Sequence, residues 1–119
     1  MNKTVVHFEI GCSDLDSTCQ FYKTIFNWDL VKHGNSALIN PGKNDALPGH
    51  INQLGPNDPQ NYVTVYIQTP TLESDLKNIV SHGGEIIVPE TSLPDGRHFA
   101  WFKDIAGNTM GLITPKPKK

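Results

Sequence analysis

The sequence predicts an α+β fold: two tandem strand–helix–strand–strand–strand (βαβββ) modules forming a curled, cleft-enclosing mixed sheet. Three observations predict it. The chain repeats itself, since Val6–Gly34 lies over Val63–Thr91 at an offset of 57 residues, with Leu15 on Leu72, Cys19 on Leu76, Tyr22 on Ile79, Leu30 on Ile87 and Val31 on Val88. Each copy reads strand, helix, strand, and each is followed by two further short apolar runs bounded by Gly, Pro and Asn. A length of 119 residues is that of one ordinary domain, large enough to bury a core without staples. The expected organisation is a single domain over 1–119, built of module 4–56 and module 61–114, with 115–119 as a basic tail.

The first strand is Val5–Cys12, with Val6, Phe8 and Ile10 on one face and His7, Glu9 and Gly11 on the other. Ser13 or Asp14 caps a helix whose apolar stripe is Leu15, Cys19, Tyr22 and Phe26 and which ends near Asn27. Trp28–Lys32 and Ser36–Asn40 are strands joined by the turn His33-Gly34-Asn35, and Gly49–Leu54 is a fourth strand beyond the loop Pro41–Pro48. Gly55–Gln60 connects the copies. The second copy opens with a strand over Asn61–Gln68. Its helix starts at Pro70 or Thr71, turns Leu72, Leu76, Ile79 and Val80 inward, and stops at Gly83-Gly84. Strands follow over Glu85–Val88, His98–Lys103 and Thr109–Thr114, with Pro89–Gly96 a loop and Asp104–Asn108 a hairpin turn.

Composition excludes several classes. The net charge is −2 with no basic face, so no nucleic-acid partner is expected. No apolar run approaches the roughly 20 residues of a membrane span. Met1–Thr4 has no apolar signal region, so the expectation is a soluble, cytoplasmic protein. Cys12 and Cys19 are too few for a disulfide framework and are not spaced as a metal-binding CxxC; Cys19 lies on the helix stripe, Cys12 closes the first strand, and neither has a neighbour that lowers a thiol pKa. His33 and His82 fall at a turn and a helix end and are expected in solvent.

The polar faces of the two opening strands are where chemistry is expected. By the repeat, His7 maps to Thr64 and Glu9 to Tyr66, which places all four in one pocket. The run Arg97–Phe102 is aromatic on both faces, so one face packs on a helix and the other, carrying Trp101, walls a cavity suited to a small planar or apolar ligand.

These residues resemble a known family. The stretch VVHFEIGCSDLDSTCQFYKTIFNWDL is similar to the opening module of the vicinal-oxygen-chelate superfamily, which holds glyoxalase I, extradiol dioxygenases and bleomycin-resistance proteins. LKNIVSHGGEIIVPE and FAWFKDIAGNTMGLI are similar to its closing module, the Asp-x-x-Gly-Asn turn being the most specific element. The chain also resembles a branch of small glyoxalase-like proteins with a PGHIN-type fourth strand. The resemblance covers nearly the whole chain and implies a glyoxalase-like fold of paired βαβββ modules, usually in a homodimer.

The resemblance further implies divalent-metal ligands at four positions, one on the first and one on the fourth strand of each module. His7 matches the first. Its repeat partner is Thr64, or Val63 if the register slips, and neither is a usual ligand. The fourth-strand position of the first module reads best as Gln53, and the last, four residues after Gly107, is Gly111. His50 alternates to the face opposite Gln53. A catalytic metal needs about three protein ligands, so the expectation is no cofactor and no complete metal site; were Zn, Ni, Fe or Mn to bind, His7 with His50 or Gln53 would hold it. The loss of the closing carboxylate also removes the usual general base.

The function expected is small-molecule binding of the glyoxalase and bleomycin-resistance kind, in a homodimer, with His7, Glu9, Gln53, Thr64, Tyr66 and Trp101 lining the cleft. The alternative is a metal-dependent lyase or isomerase (lactoylglutathione-lyase-like), or a dioxygenase, with a rearranged site that keeps His7. Whether the protein is an enzyme stays open; His7 and Glu9 are the catalytic candidates. A scaffold subunit is a third reading, disfavoured by the cost of burying His7 and Glu9 without partners.

Overall fold

Each half of the chain folds a four-stranded mixed sheet with one helix against one face, as the repeat requires. The structure is a computed structural model that describes residues 2–59 and 61–117. Gln60 of the connector and the last two residues of the expected basic tail lie outside the described residues. The chain forms two compact units, one of residues 7–64 and one of residues 65 onward together with the residues up to Val6.

The first unit contains β1 (Val5–Cys12, from His7), α1 (Leu15–Phe26), β2 (Asp29–His33), β3 (Ser36–Asn40) and β4 (Gly49–Gln53). Its strands run in the order β2-β3-β4-β1. β1 and β4 are parallel, with Phe8 opposite Gly49, Glu9 opposite His50 and Ile10 opposite Ile51, while β3 is antiparallel to β2 and β4. Strand alternation sends Phe8, Ile10, Cys12, Ala37, Ile39 and Ile51 to the helix side, where Leu15 and Cys19 close the core. Asp14 caps α1 by accepting from Ser17 N at 3.3 Å, and Asn27 ends it in the left-handed region at φ 58°. Phe26, expected on the buried stripe, is 57% exposed. As the last residue of the helix it lies against the Tyr22 and Trp28 rings, with centroids 6.1 and 6.2 Å away, and does not enter the core.

The second unit contains β5 (Val63–Gln68, from Val65), α2 (Leu72–Ser81), β6 (Glu85–Ser92), β7 (His98–Lys103) and β8 (Thr109–Ile113), ordered β5-β8-β7-β6. β5 and β8 are parallel, with Ile67 opposite Leu112; β7 is antiparallel to both β8 and β6. Leu72, Leu76, Ala100, Phe102 and Leu112 form the core. Val80, expected inward, is 53% exposed, because Leu72, Leu76 and Ile79 already complete the buried stripe. α2 ends where expected: Gly83 takes φ +97° and Gly84 N donates to Ile79 O at 2.8 Å. β6 runs to Ser92 and so takes in Pro89, Glu90, Thr91 and Ser92, the first half of the expected loop Pro89–Gly96. It is the outer strand of this sheet, and its pairing with β7 shifts register between Val88 and Thr91, the kind of place that tolerates a residue without an N–H.

The first residues of the chain belong with this second unit. Gln68 N donates to Thr4 O at 2.8 Å, and Lys3 Nζ reaches Asp75 Oδ1 at 2.8 Å and Thr71 Oγ1 at 3.0 Å. Among the described residues no helix is long and apolar enough to cross a membrane.

Candidate functional site

With Phe8, Ile10 and Ile51 committed to the helix side of the first unit, the other face of its sheet carries His7, Glu9, Gly11, His50 and Asn52. Parallel pairing sets Glu9 beside His50. His7 Nε2 lies 2.7 Å from His50 Nδ1, and His50 Nε2 lies 3.4 Å from Glu9 Oε1. The second Glu9 oxygen accepts the Tyr62 hydroxyl proton. Four side chains thus form one connected line, His7–His50–Glu9–Tyr62. Glu9 is only 4% exposed, and among the described residues no buried side-chain nitrogen or oxygen lacks a partner.

Tyr62 is fixed from three sides. Its carbonyl accepts from Gly11 N at 2.7 Å. Its ring lies on Gly11, where a Cβ would stand 2.5 Å from Tyr62 Cε2, so only glycine fits beneath it. Its hydroxyl engages both Glu9 and the Asn52 side chain, whose Oδ1 accepts from Ser36 Oγ at 2.8 Å. Burial first, and then the Glu9 carboxylate, push the phenol well above its ordinary pKa, so it remains a proton donor. Tyr62 also borders a cavity of about 450 Å³ at the start of α1, together with Ile10, Ser13, Asp14, Tyr22 and Val63.

Gln53 is not brought to this line. It shares the helix-side face with Ile51, and its Oε1 accepts from Leu15 N at 3.2 Å at the first turn of α1. The register explains why. Ile10 opposite Ile51 in the first unit matches Ile67 opposite Leu112 in the second, and one residue earlier Glu9 opposite His50 matches Tyr66 opposite Gly111. The counterpart of Gly111 is therefore His50. The alternation inferred for His50 and Gln53 holds, with the two faces exchanged. Tyr62 and Asn52 were not foreseen; the signal available for Tyr62 was a large polar ring next to the opening of the second copy, where the first copy has Val5.

In the second unit the corresponding face carries an aromatic pair. Trp101 Nε1 donates to Tyr66 Oη at 2.8 Å, and the Tyr66 ring covers Gly111, where a Cβ would lie 2.4 Å from Tyr66 Cδ2. Trp101 is itself opposite Gly111, and Phe99 lies on the same face. Tyr66 is buried, at 7% exposure; Thr64, on the same strand but within the first unit, is buried at 4%. The thiols behave as core groups: Cys12 donates to Asn52 O at 3.6 Å, and burial, then Cys12, raises the Cys19 pKa. His33 and His82 are exposed, as expected.

The donor set does not make up the implied metal site. The first module offers His7 and His50, but their nitrogens hydrogen-bond to each other instead of converging on a third point. In the second module Thr64 is not a usual ligand and Gly111 has no side chain and lies under a ring. Among the described residues no group of three or more His, Cys, Asp or Glu side chains is arranged to hold a metal ion.

Residues 4–112 match the family model described as Glyoxalase/Bleomycin resistance protein/Dioxygenase superfamily. No curated protein sequence matches the chain. Several solved structures share the fold. A Streptomyces coelicolor methylmalonyl-CoA epimerase variant in complex with 2-nitronate-propionyl-CoA is 17% identical, with a TM-score of 0.73 over 99% of this chain and 100% of that one. A hypothetical protein from Bacillus halodurans is 12% identical, with a TM-score of 0.74 over 100% and 99%. The methylmalonyl-CoA epimerase of Mycobacterium tuberculosis is 15% identical, with a TM-score of 0.65 over 95% and 88%. Identities this low establish the fold alone.

Proposed function

The chain belongs to the glyoxalase/bleomycin resistance protein/dioxygenase superfamily, and on that premise we propose that it binds a small molecule at the His7–His50–Glu9–Tyr62 face without a complete catalytic metal site. The observation that carries this is the line itself: two half-buried imidazoles backed by a buried carboxylate on the sheet face turned away from the helix. Such a line can donate to, accept from and orient a polar group of a ligand. The methylmalonyl-CoA epimerases of similar fold supply the first probes, acyl-CoA thioesters. A ligand present at 100 times its Kd should stabilise the chelator-treated protein by about 2.7 kcal/mol. That stabilisation should be seen as a raised thermal midpoint and should disappear in His7→Ala. A midpoint shift that vanishes on chelation and returns with Zn, Ni, Fe or Mn would overturn the metal-free reading.

One observation favours a second reading, an acid–base isomerase. His50 is flanked by Glu9 and His7, the arrangement that orients an imidazole for proton transfer. In that case a proton leaves a carbon next to a thioester carbonyl for the His7 side chain and returns to the same carbon, with no net redox change. Deuterium uptake from D2O at that carbon, measured in the same samples, separates the two: uptake that depends on His7 favours the isomerase, and binding without uptake favours the binding protein.

A further inference from the structure

The open face of the first unit is not polar throughout. Strand pairing sets one row of residues straight across it: Glu9 beside His50, His50 beside Leu38, and Leu38 beside Val31. The chain neighbours Leu30 and Ile39 pack on the helix side, so alternation keeps Val31 and Leu38 on the face of His50. Exposure rises along the row. Glu9 is buried, the His50 side chain is 22% exposed, and Leu38 and Val31 are 48% and 53% exposed. We propose that the ligand of this face is a linear amphiphile, with a neutral polar head beside His50 and an unbranched apolar tail lying across Leu38 to Val31. The inference deepens the proposed ligand role of the same face and rests on it.

The surroundings of the two apolar residues select that occupant. Polar pairs border them on both sides: Asn40 Nδ2 donates to Asp29 Oδ2 at 3.1 Å on one flank, and Ser36 Oγ donates to Asn52 Oδ1 at 2.8 Å on the other. The apolar strip is therefore one side chain wide, which suits a chain and not a broad surface. Neighbouring strands stand about 4.8 Å apart, so the two spacings from His50 to Val31 span about 10 Å, the reach of a short tail. A stable protein interface takes roughly 20–30 residues from each partner, far more than this strip offers, so a second copy of the chain is not what it fits. A hydroxyl head both donates and accepts, and so suits the imidazoles whichever of their nitrogens carry protons. Burying Leu38 and Val31 under the tail supplies the attraction, and the imidazoles fix which end lies inward.

Titration of the full chain with butanol, hexanol and octanol, all straight-chain primary alcohols, tests this by carbon–proton NMR of the His50 ring and of the Leu38 and Val31 methyl groups. Ile25, 58% exposed on α1, reports any general attraction of the alcohols to exposed methyl groups. The His50, Leu38 and Val31 signals should move together with one Kd, and each methylene that reaches the strip should lower that Kd by up to about fourfold. In the double variant Val31→Thr, Leu38→Thr, which keeps strand-forming side chains, the dependence on chain length should vanish. Leu38 and Val31 signals that move no more than those of Ile25 overturn the inference, and so does a folded double variant that keeps the full dependence on chain length. His50 signals that move with the same Kd for all three alcohols overturn it too, while leaving the proposed ligand role of the face intact. A His50 ring that none of the alcohols moves counts against that role itself, and the inference falls with it. The wild-type readings decide the matter whether or not the variant folds.

Discussion

Gly11 and Gly111 are glycines for one physical reason, since each lies beneath a tyrosine ring that fills the space of a Cβ. At Gly111 the ring is Tyr66, whose hydroxyl is tied to Trp101, so it cannot step aside without losing that bond. Gly111→Ala should therefore destabilise the protein by about 1–3 kcal/mol, the usual cost of overpacking. In a Tyr66→Ala background the same change should cost little. Denaturant midpoints of the four members of this double-mutant cycle check it, and additive effects would refute the steric account. The absent carboxylate could be seen in the sequence, but the ring that replaces it could not, because nothing in a one-dimensional pattern says that residue 66 leans over residue 111. His50 was more accessible to reasoning. Gln53 shares a strand face with Ile51, and a fully buried isoleucine belongs to the core, so alternation alone assigns His50 to the open face.

Among the elements, α2 is held at its start by a cluster that periodicity does not reveal. Its N-cap residue Thr71 makes no capping bond with its side chain. Asp75, inside the first turns, accepts instead from Thr69 Oγ1 and from Lys3 Nζ. Burial alone would raise the Asp75 pKa, but the hydrogen bonds and charge of Lys3 and the hydroxyls of Thr69 and Thr71 outweigh it and lower the pKa. The sign follows: stability from a depressed carboxylate is fully present above its unfolded value of about 3.9 and is lost as pH falls through the lower folded value. Asp75→Asn should cost about 1–3 kcal/mol at neutral pH, the scale of hydrogen bonds to a charged group. It should also flatten the loss of stability below about pH 4. Urea midpoints measured across that range test this; an equal difference between the two proteins at every pH would refute it. The helices, their caps and most strand boundaries could be read from apolar spacing and from Asp14, Gly83 and the Asp104 turn. Lys3 could not be placed, because its partner lies 72 residues away.

At the scale of the whole molecule, the repeat describes the elements faithfully but not the division of the chain into units. That division cuts β1 after Val6 and β5 after Thr64, so neither opening strand lies wholly in one unit. Hydrophobic landmarks fix each element's inner face; they do not say with which body its ends are grouped. Removing residues 2–4 should therefore loosen the second unit, deprived of the Thr4 carbonyl and the Lys3 ammonium. The Gln68 amide should exchange faster with solvent in the truncated protein, while the amides of Ile10 and Ile51 should be little changed. Equal acceleration in both units would argue against the assignment.

The same division orders events in time. During synthesis residues 7–64 leave the ribosome as one uninterrupted stretch, with every strand of their sheet and their helix already present. Lys3 and Thr4 emerge before all of them, yet their partners Asp75 and Gln68 come out more than sixty residues later. Those bonds form only once the closing half exists.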